Sequence, residues 1–488
     1  MFSWDIPSRE IESFIIYTPP VASMAAANCS AVETLAALIH GKQMAPSRLE
    51  AWARLFVTKF LESHISTDRL ILEEDGGATF TFEGTGKKCS LEVVLKVHSP
   101  QFYWKVTTRA DIGLADAYID GEFSFADKDQ GLLHLIMVLI ANRDANKSIS
   151  KANKKRGWWT PSLFTAGIAS AKFFLQHVLR QNTLTQARRN ISRHYDLSTE
   201  VFSLFLGETM AYSCAIFKTE DEDLNTAQLR KISTLIEKAR IDKKHEILDI
   251  GCGWGTFVIE VVKQTGCKYT GLTLSVEQLK YAEMKVKEAG LQDNIRLLLC
   301  DYRELPKGYK YDRIVSCEMW VMNTWRIFLA AASQHWQKMG FLFYSKNGCF
   351  FPQSTSIADE RYDEYWRSSD FIKEYIFPGG CLPSLSRITS AMGVASRFSV
   401  EHVENIGSHY YLTLRCCKNY FLENKSKILA MGFDEKFIRT WEYYFDYGAS
   451  GFKSCTLLNY QIVFSRPGNV GVLGDPYKGF PSSYRHLL

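Results

Sequence analysis

One short stretch constrains the fold of this chain more than any other: residues 247–255 read ILDIGCGWG. Four mostly apolar residues typical of a strand run into three glycines at alternate positions, and a helical run follows to residue 263. This order predicts a strand, a tight turn and the start of a helix. Glycine suits such a turn because the backbone needs dihedral angles closed to other residues and a ligand must approach it closely. The spacing D-x-G-x-G-x-G differs from the G-x-G-x-x-G of dinucleotide-binding folds, and a bare strand-to-helix turn is the alternative.

The chain after residue 193 alternates strand-like and helix-like segments. We predict strands at 247–250, 267–273, 295–300 and 311–317, with helices up to residue 263 and at 275–289. Ser275 followed by Gln278 three residues later is a capping-box pattern, which marks the start of the second helix. Such alternation with short loops predicts an α/β fold, a doubly wound parallel sheet whose ligand binds at the carboxyl ends of the strands.

Composition bounds the class of protein. A chain of 488 residues is long enough for two or three domains. Its net charge of +5 is too small to imply nucleic acid by itself, and its twelve cysteines contain no C-x-x-C pair, so we expect no metal and no disulfide framework. No apolar run reaches the roughly 18 residues of a membrane span, and no signal-peptide pattern opens the chain. We therefore expect a cytoplasmic protein whose membrane contact is peripheral.

The first third of the chain is predicted to be a small α+β unit. Residues 1–65 predict two helical segments, of which 47–63 is the better defined. Short alternating runs at 79–82, 91–97 and 102–106, separated by glycine-rich turns, predict strands. A helix is expected from about 129 to 142. Nothing in this part supplies a catalytic constellation.

A basic connector follows. Five lysines and arginines between Lys147 and Arg156 precede Trp158 and Trp159, and residues 163–179 form an apolar, helix-like stretch. Basic residues beside interfacial tryptophans suit docking on anionic lipid. A solvated charge run beside a packed helix is an equally good interpretation, and the sequence alone leaves both open.

Several motifs together resemble cyclopropane fatty acid synthases and the related mycolic acid methyltransferases. The motifs are HYDL at 194–197, MAYSCA at 210–215, the glycine turn, GLTLS at 271–275 with Gln278, YIFPGGCLPS at 375–384, His409-Tyr410 and YQIVFSR at 460–466. The resemblance covers residues from about 100 to 470. The glycine turn in particular looks like the first motif of S-adenosylmethionine (SAM)-dependent methyltransferases. Plant members of the family often carry a flavin domain in front, and no dinucleotide turn is present here.

This resemblance implies a reaction. In the family a SAM methyl group adds to a cis double bond of a phospholipid acyl chain, and the resulting carbocation loses a proton to close a cyclopropane ring. The chemistry needs the alkene aimed at the sulfonium, an aromatic and water-excluded pocket for the cation, and a base, which in the family is bicarbonate. The implied partners are phospholipid acyl chains at an anionic membrane surface, with no nucleic acid and with a homodimer left open.

The resemblance also implies the site residues. The cofactor-binding positions are Tyr212, Ser213, Asp249, Gly251, Gly253, Gly255, Thr273, Leu274, Gln278, Asp301 and Tyr302. Within that set, Thr273, Leu274 and Gln278 match the ribose side, and Asp301 and Tyr302 match the adenine side. Cys214 and Tyr410 match the bicarbonate site, and Gln353 matches the place of a bicarbonate-binding histidine in many relatives. Gln278 alone would read as a helix cap, and a lone buried Cys or Tyr as a core residue.

We predict that the chain is divided into four parts. They are an N-terminal helical segment at 1–65, an α+β lipid-facing domain at 66–145, the connector at 146–195 and a SAM-dependent methyltransferase domain at 196–488.

The sequence departs from the family after Met319. The family has a bicarbonate-binding Glu and a V-G-H segment there, whereas residues 320–327 read WVMNTWRI. Codons for this stretch can be shifted by one nucleotide to read VGHEYMED, and the same shift turns 338–345 into a strand-like DGLLVLL. We therefore predict that residues 320–352 are out of frame and that cyclopropanation is weak or absent. The alternatives are a SAM- or lipid-binding pseudoenzyme and a methyltransferase for another small acceptor.

Overall fold

A computed structural model describes residues 47–84, 91–145, 198–305, 309–318, 348–378, 380–396, 398–469, 475 and 477–483. The chain separates into two compact units, Met1–Ala45 and Pro46–Leu488, and all described residues belong to the second. The connector predicted at 146–195 and the first predicted helix therefore lie outside the described residues, as does most of the segment predicted to be out of frame. No helix in the described ranges is long and apolar enough to cross a membrane.

The N-terminal part of the second unit is a four-stranded sheet with three helices. Its elements are α1 (Arg48–His64), β1 (Arg69–Glu74), β2 (Thr79–Glu83), β3 (Glu92–Val97), α2 (Gln101–Ile119), β4 (Phe123–Phe125) and α3 (Gly131–Ala145). The strand order is β2-β1-β3-β4. Helix α1 begins at a reciprocal capping box between Ser47 and Glu50, which satisfies two of the amide donors that a helix start leaves unpaired. The predicted helices at 47–63 and 129–142 are confirmed to within three residues.

The strand predicted at 102–106 is wrong, because these residues open helix α2. Phe102, Tyr103 and Val106 are buried there, and their spacing places them on one side of a helix. Aromatic and β-branched residues favour strands when isolated, but burial of this face overrides the propensity. Helix α2 also bends at Ala110, whose φ is +50°.

The C-terminal part of this unit, from residue 198 onward, is built on a seven-stranded sheet. Its strands are β5 (Glu246–Ile250), β6 (Lys268–Thr273), β7 (Ile295–Leu299), β8 (Arg313–Cys317), β9 (Cys349–Ile357), β10 (Ser399–Asn405) and β11 (Leu457–Ser465). The order across the sheet is β10-β11-β9-β8-β5-β6-β7. The five strands from β7 to β9 pair in parallel, while β11 is antiparallel to both of its neighbours. The predicted α/β doubly wound fold is confirmed.

Helices cover the sheet and supply the rest of the core. They are α4 (Thr199–Leu206), α5 (Leu224–Ala239), α6 (Thr256–Thr265), α7 (Val276–Glu288), α8 (Asp359–Arg367), α9 (Leu385–Ala395), α10 (Gly407–Glu423), α11 (Lys425–Ala430) and α12 (Glu435–Lys453). Residues of β5 alternate between two buried clusters: Leu248 lies in one and Ile247 in the other. Successive strand side chains point to opposite faces, so both faces of the sheet are buried, as expected of a parallel sheet.

Strand β9 lies in the middle of the sheet and begins inside the segment predicted to be out of frame. Residues 349–352 are buried and pair with β8 on one side, and Cys349 and Phe350 also pair with β11 on the other. The sheet thus has a packed strand beside β8, while the residues re-read as strand-like, 338–345, lie outside the described ranges. The frame shift itself stays a prediction, because residues 319–347 lie outside the described ranges.

Charged residues join the N-terminal part, residues 47–145, to the C-terminal part. Asp129, which precedes α3, accepts a hydrogen bond from Arg415 of α10 at 2.9 Å. Arg415 and Lys418 also hold the buried carboxylate of Asp446 in α12, at 2.9 and 2.8 Å. Asp111 of α2 accepts from the backbone N–H of Phe371 at 3.3 Å. Of these two contacts between the parts, the one at Asp129 is exposed and contributes little, whereas the one at Asp111 is partly buried.

Candidate active site

The predicted glycine turn connects β5 to α6 and contains three left-handed residues. Gly251, Gly253 and Gly255 have φ values of +95°, +56° and +90°, which residues with a Cβ adopt only at a cost. A Cβ on Gly255 would lie 2.9 Å from the Cβ of Ala282, so this glycine is needed for packing against α7. A Cβ on Gly253 would meet no atom within 4 Å. Gly253 therefore borders open space, as a backbone cradle for a ligand requires.

Asp249, just before this turn, carries an unpaired buried oxygen. The side chain is 2 % exposed; Oδ2 accepts from the hydroxyl of Tyr269 at 3.2 Å, and Oδ1 has no partner among the described residues. Burial raises the pKa of Asp249 to about 7. An unsatisfied buried acceptor is costly, so this oxygen marks a place for a donor that the described residues do not supply.

The Ser213 hydroxyl accepts a hydrogen bond from a buried lysine that we did not predict from the sequence. Lys231 of α5 is 2 % exposed, and its Nζ donates to Ser213 Oγ at 2.9 Å. Gln228, one turn earlier, donates to the Ser213 carbonyl at 2.8 Å. Because the Ser213 hydroxyl accepts from an ammonium group, its own proton is left for another acceptor. Lys231 could have been found as a lysine on the apolar face of an amphipathic helix, beside Ile232 and Leu235.

The end of β6 carries the predicted ribose-side residues. The hydroxyl of Thr273 donates to Gln278 Oε1 at 2.8 Å and accepts from the N–H of Ser275 at 3.1 Å. Ser275 caps α7 as predicted, by accepting from Gln278 N at 3.3 Å. The reciprocal half of the predicted capping box is wrong: the backbone N–H of Ser275 donates to Thr273 Oγ1, and Gln278 Oε1 accepts from Thr273 instead of from the cap. Leu274 between them is half-buried.

The adenine-side residues lie after β7, and one of them is paired within the chain. Asp301 accepts from Arg303 Nε at 2.8 Å and Nη2 at 2.6 Å, one bond to each carboxylate oxygen. Two further bonds to a ligand would have to share these oxygens. Tyr302 packs against the cluster around Leu305 and Tyr311, and burial raises its pKa to about 12. The Asp301–Arg303 pair was overlooked although it spans only two residues.

Cys214 and Tyr410, the predicted anion-site residues, are both buried. The Cys214 thiol donates to the carbonyl of Ile406 at 3.4 Å, and burial raises its pKa well above the usual range. The thiol is thus neutral and serves as a donor, not as a nucleophile. The Tyr410 ring stacks on Phe452 with 4.5 Å between centroids, and burial raises the pKa of its hydroxyl as well. The negative charge of Glu318 further raises the pKa of both groups.

Glu318, directly after β8, is the functional candidate that the sequence analysis did not single out. Its Oε1 accepts from Gln353 Nε2 at 3.1 Å and from Asn459 Nδ2 at 2.5 Å. Its Oε2 accepts from the backbone N–H of Thr355 at 2.8 Å and from the Thr355 hydroxyl at 2.9 Å. The available signal was its position, since polar residues at the carboxyl end of a parallel strand face the ligand edge.

Three aromatic rings lie close to these groups. The Tyr212 hydroxyl donates to that of Tyr444 at 2.9 Å. The ring of Phe377 lies 6.4 Å from both of these rings. Tyr444 is also close enough to Tyr410 to influence its ionisation. We call Tyr212, Phe377 and Tyr444 the aromatic cluster.

Cys317, the last residue of β8, shows that the cofactor side and the anion side adjoin. Burial raises its pKa to about 12, and the charges of Lys231, Asp249 and Glu318 all act on it. The structure therefore brings the glycine turn, Asp249, Ser213 and Gln278 to one edge of the sheet, next to Glu318 with Cys214, Gln353 and Tyr410. This is the edge where a doubly wound fold binds its ligand. Among the described residues no three His, Cys, Asp or Glu side chains gather as a metal site would require.

Comparisons with known proteins show which family the chain belongs to. Residues 182–462, more than half of the chain, match the family described as Mycolic acid cyclopropane synthetase. The tuberculostearic acid methyltransferase UfaA1 of Mycobacterium tuberculosis is 35% identical over 293 residues, which are 58% of this chain and 66% of UfaA1, just under two thirds. The cyclopropane-fatty-acyl-phospholipid synthase of Escherichia coli K12 is 29% identical over 379 residues, 76% of this chain and 87% of that enzyme.

A solved structure gives the same result. The mycolic acid cyclopropane synthase CmaA1, in its complex with SAH and CTAB, superposes with a TM-score of 0.52 at 26% identity, covering 57% of this chain and 98% of CmaA1. The chain therefore belongs to the mycolic acid cyclopropane synthetase family, whose members are SAM-dependent methyltransferases.

Proposed function

We propose that this protein transfers the methyl group of SAM to a cis double bond of a phospholipid acyl chain and closes a cyclopropane ring. The observation that carries the proposal is the meeting of two groups at one sheet edge: a glycine cradle with room for a cofactor, and the half-buried carboxylate of Glu318 beside aromatic rings. Family membership supports the same chemistry. The lipid class and the ring closure are the parts that the proposal adds to it.

The residues on the cofactor side fit SAM. Bound SAM would supply an electrophilic methyl group. Gly253 leaves space for its methionine part, and Asp249 Oδ1 is an acceptor for the ammonium group. The Ser213 hydroxyl, backed by Lys231, is a donor for the carboxylate. Gln278, with Oε1 held by Thr273, presents its NH₂ group toward a ribose hydroxyl. The similarity to CmaA1, whose complex contains SAH, supports this assignment.

The aromatic cluster suits the cation formed on the acyl chain. The face of an aromatic ring attracts positive charge, by about 2 kcal/mol or more when water is excluded. Tyr212 and Tyr444 fix each other through their hydroxyls, so their rings are held without a contribution from substrate. A fixed cluster lowers the barrier more than a mobile one, because it needs no reorganisation during the reaction.

Bicarbonate is implied by the resemblance, at Cys214, Tyr410 and Gln353. The residues present do not fit a free bicarbonate ion in this arrangement, because the Gln353 amide already donates to Glu318. No step of the proposed reaction passes through bicarbonate.

The location of the reaction is part of the same proposal. We propose that the protein is cytoplasmic and docks on anionic membrane through the basic connector at 146–195, with acyl chains as substrate. A homodimer is compatible with the proposal and is not required by it. The alternative substrate, a small amine or other soluble acceptor, is distinguished by assay.

The decisive experiment is a methyl-transfer assay. The purified full chain is mixed with labelled SAM and vesicles of monounsaturated phospholipid, and the lipids are analysed by mass spectrometry. We expect label in lipid whose acyl chain has gained one methylene and lost its double bond. Vesicles of saturated phospholipid serve as the matched control. Label in a methylated acyl chain without a ring would contradict cyclopropanation but not lipid methylation, and label in soluble amines alone would contradict both.

A further inference from the structure

We propose that Glu318 is the resident anion of this active site. Its carboxylate occupies the donor cluster that would otherwise hold bicarbonate, and it accepts the proton lost at ring closure. The second half of this statement rests on the proposed function; the first half does not.

The donors around Glu318 form a complete cradle for a planar anion. Gln353 and Asn459 donate to one carboxylate oxygen, and the N–H and hydroxyl of Thr355 donate to the other. These groups come from β9 and β11, on the far side of β8 from the cofactor turn. A carboxylate and bicarbonate share the planar O–C–O unit and the charge, and an ionised carboxylate accepts about four hydrogen bonds. The chain therefore fills its own anion site.

The backbone at Glu318 supports this role. Its φ is +58°, in the left-handed region, which is unfavourable for a residue with a Cβ. Such strain persists only where surrounding contacts over-determine it, and it clusters at functional sites. Four donors from two strands supply those contacts. The left-handed turn at Glu318 brings its carboxylate back over β9, beside Cys214 and Tyr410. Burial raises the pKa of both groups most, and the negative charge of Glu318 raises each of them further.

Glu318 can take the proton with balanced charges. A C–H bond of the newly added methyl group breaks, and its electron pair forms the third bond of the cyclopropane. The proton passes to Oε2 of Glu318, so a cation and a carboxylate become a neutral ring and a carboxylic acid. The Thr355 hydroxyl also donates to Oε2 and can rotate away, which frees a lone pair for the proton. The acid then returns its proton to water between turnovers.

This assignment changes the expectation drawn from the sequence. We expected weak cyclopropanation because the family's carboxylate has no counterpart at residues 320–327. Glu318 supplies a carboxylate from the preceding strand end, so that ground for inactivity is removed. The same assignment makes the reaction independent of bicarbonate.

The test compares the full chain with two variants, in buffer freed of carbon dioxide and in buffer with millimolar bicarbonate. Glu318→Gln keeps the cradle filled with a neutral amide, whereas Glu318→Ala empties it. We expect the unaltered protein to have equal methyl-transfer rates in both buffers. Loss of a general base typically lowers the rate about 10²–10⁴-fold, which we expect for both variants without bicarbonate. Added bicarbonate should rescue Glu318→Ala and leave Glu318→Gln inactive.

A binding measurement decides the first half independently of turnover. Isotope-labelled bicarbonate is followed by infrared spectroscopy in the presence of SAH: we expect binding to Glu318→Ala and none to the unaltered protein. Bicarbonate bound equally by both would overturn the inference, as would a rate of the unaltered protein that requires bicarbonate. If no sample methylates unsaturated lipid, the proposed function fails. The infrared result still decides whether Glu318 or bicarbonate occupies the cradle. Thermal unfolding of each variant shows that it is folded.

Discussion

Replacing Gly253 by valine should weaken cofactor binding while leaving the fold intact. Two effects have to be separated. The first is backbone strain: Gly253 has a φ of +56°, and a side chain there costs about 1–2 kcal/mol of stability. The second is steric. A Cβ at Gly253 meets no protein atom within 4 Å, so the side chain fills only the space that the methionine part of SAM would occupy.

The chain offers a matched control for the strain. Gly290, after α7, has a φ of +68° and likewise no atom within 4 Å of an added Cβ. Gly290→Val should therefore cost a similar amount of stability without touching the cofactor site. Filling occupied space costs about 1–3 kcal/mol, so we expect SAH to bind Gly253→Val roughly 5–150-fold more weakly, since about 1.4 kcal/mol is tenfold.

The assay is titration calorimetry with SAH, accompanied by thermal unfolding of both variants. Similar losses of melting temperature with a loss of affinity confined to Gly253→Val are the expected result. Unchanged affinity in Gly253→Val would refute the assignment of the glycine turn. Equal loss of affinity in both variants would show that destabilisation, not the filled cradle, is the cause.

Three further predictions concern other parts of the molecule. Lys231→Met should weaken the binding of SAH about tenfold or more, which is the value of a hydrogen bond to a charged group. The binding of 5′-methylthioadenosine should not change, because that ligand has no carboxylate. Calorimetry that shows equal weakening for both ligands would contradict the role of Lys231. Burial and then the nearby Asp370 raise the pKa of Asp111 from 3.8 to about 7, so the folded state favours the protonated acid, and stability is lost as pH rises from about 4 to 7. Denaturant unfolding at several pH values should show a larger loss in the unaltered protein than in Asp111→Asn, by at most about 4 kcal/mol, because the raised pKa of Asp249 contributes equally to both. Reversing the charges of Lys154, Lys155 and Arg156 should weaken sedimentation with anionic vesicles, as added salt should; unaltered sedimentation would rule out connector docking.

The sheet could be predicted from the sequence because its signals are local. The predicted strand at 247–250 differs from β5 by one residue, and the one at 267–273 begins one residue before β6. In each case a run of apolar residues ends at a glycine or a cap within a few positions, so the pattern and its boundary lie in one window. The stretch at 102–106 failed because its conformation is decided by burial against other elements, which a local window does not contain.

The candidate site was predictable only where a motif is contiguous. The glycine turn and the segment around Ser213 were found because their residues are adjacent in sequence. Glu318 was missed because its partners lie 35, 37 and 141 residues away, on two other strands. Lys231 was missed for the same reason, since its partner Ser213 comes from a separate segment 18 residues earlier. In the sequence alone, a charged residue with a distant partner cannot be distinguished from a charged residue on the surface.

The orientation of the Glu318 cradle is set by a row of hydrogen-bonded side chains that runs across neighbouring strands, in which Gln461 of β11 pairs with Gln353 of β9. Lys238 is buried and can only donate hydrogen bonds, so Gln461 must present Oε1 to it, at 2.6 Å. The Gln461 amide NH₂ then faces Gln353 Oε1, at 2.9 Å. Gln353 in turn has only its NH₂ group left for Glu318. A lysine at one end and a carboxylate at the other thus fix the direction of two amides between them, so that this site is built to hold an anion before any substrate arrives.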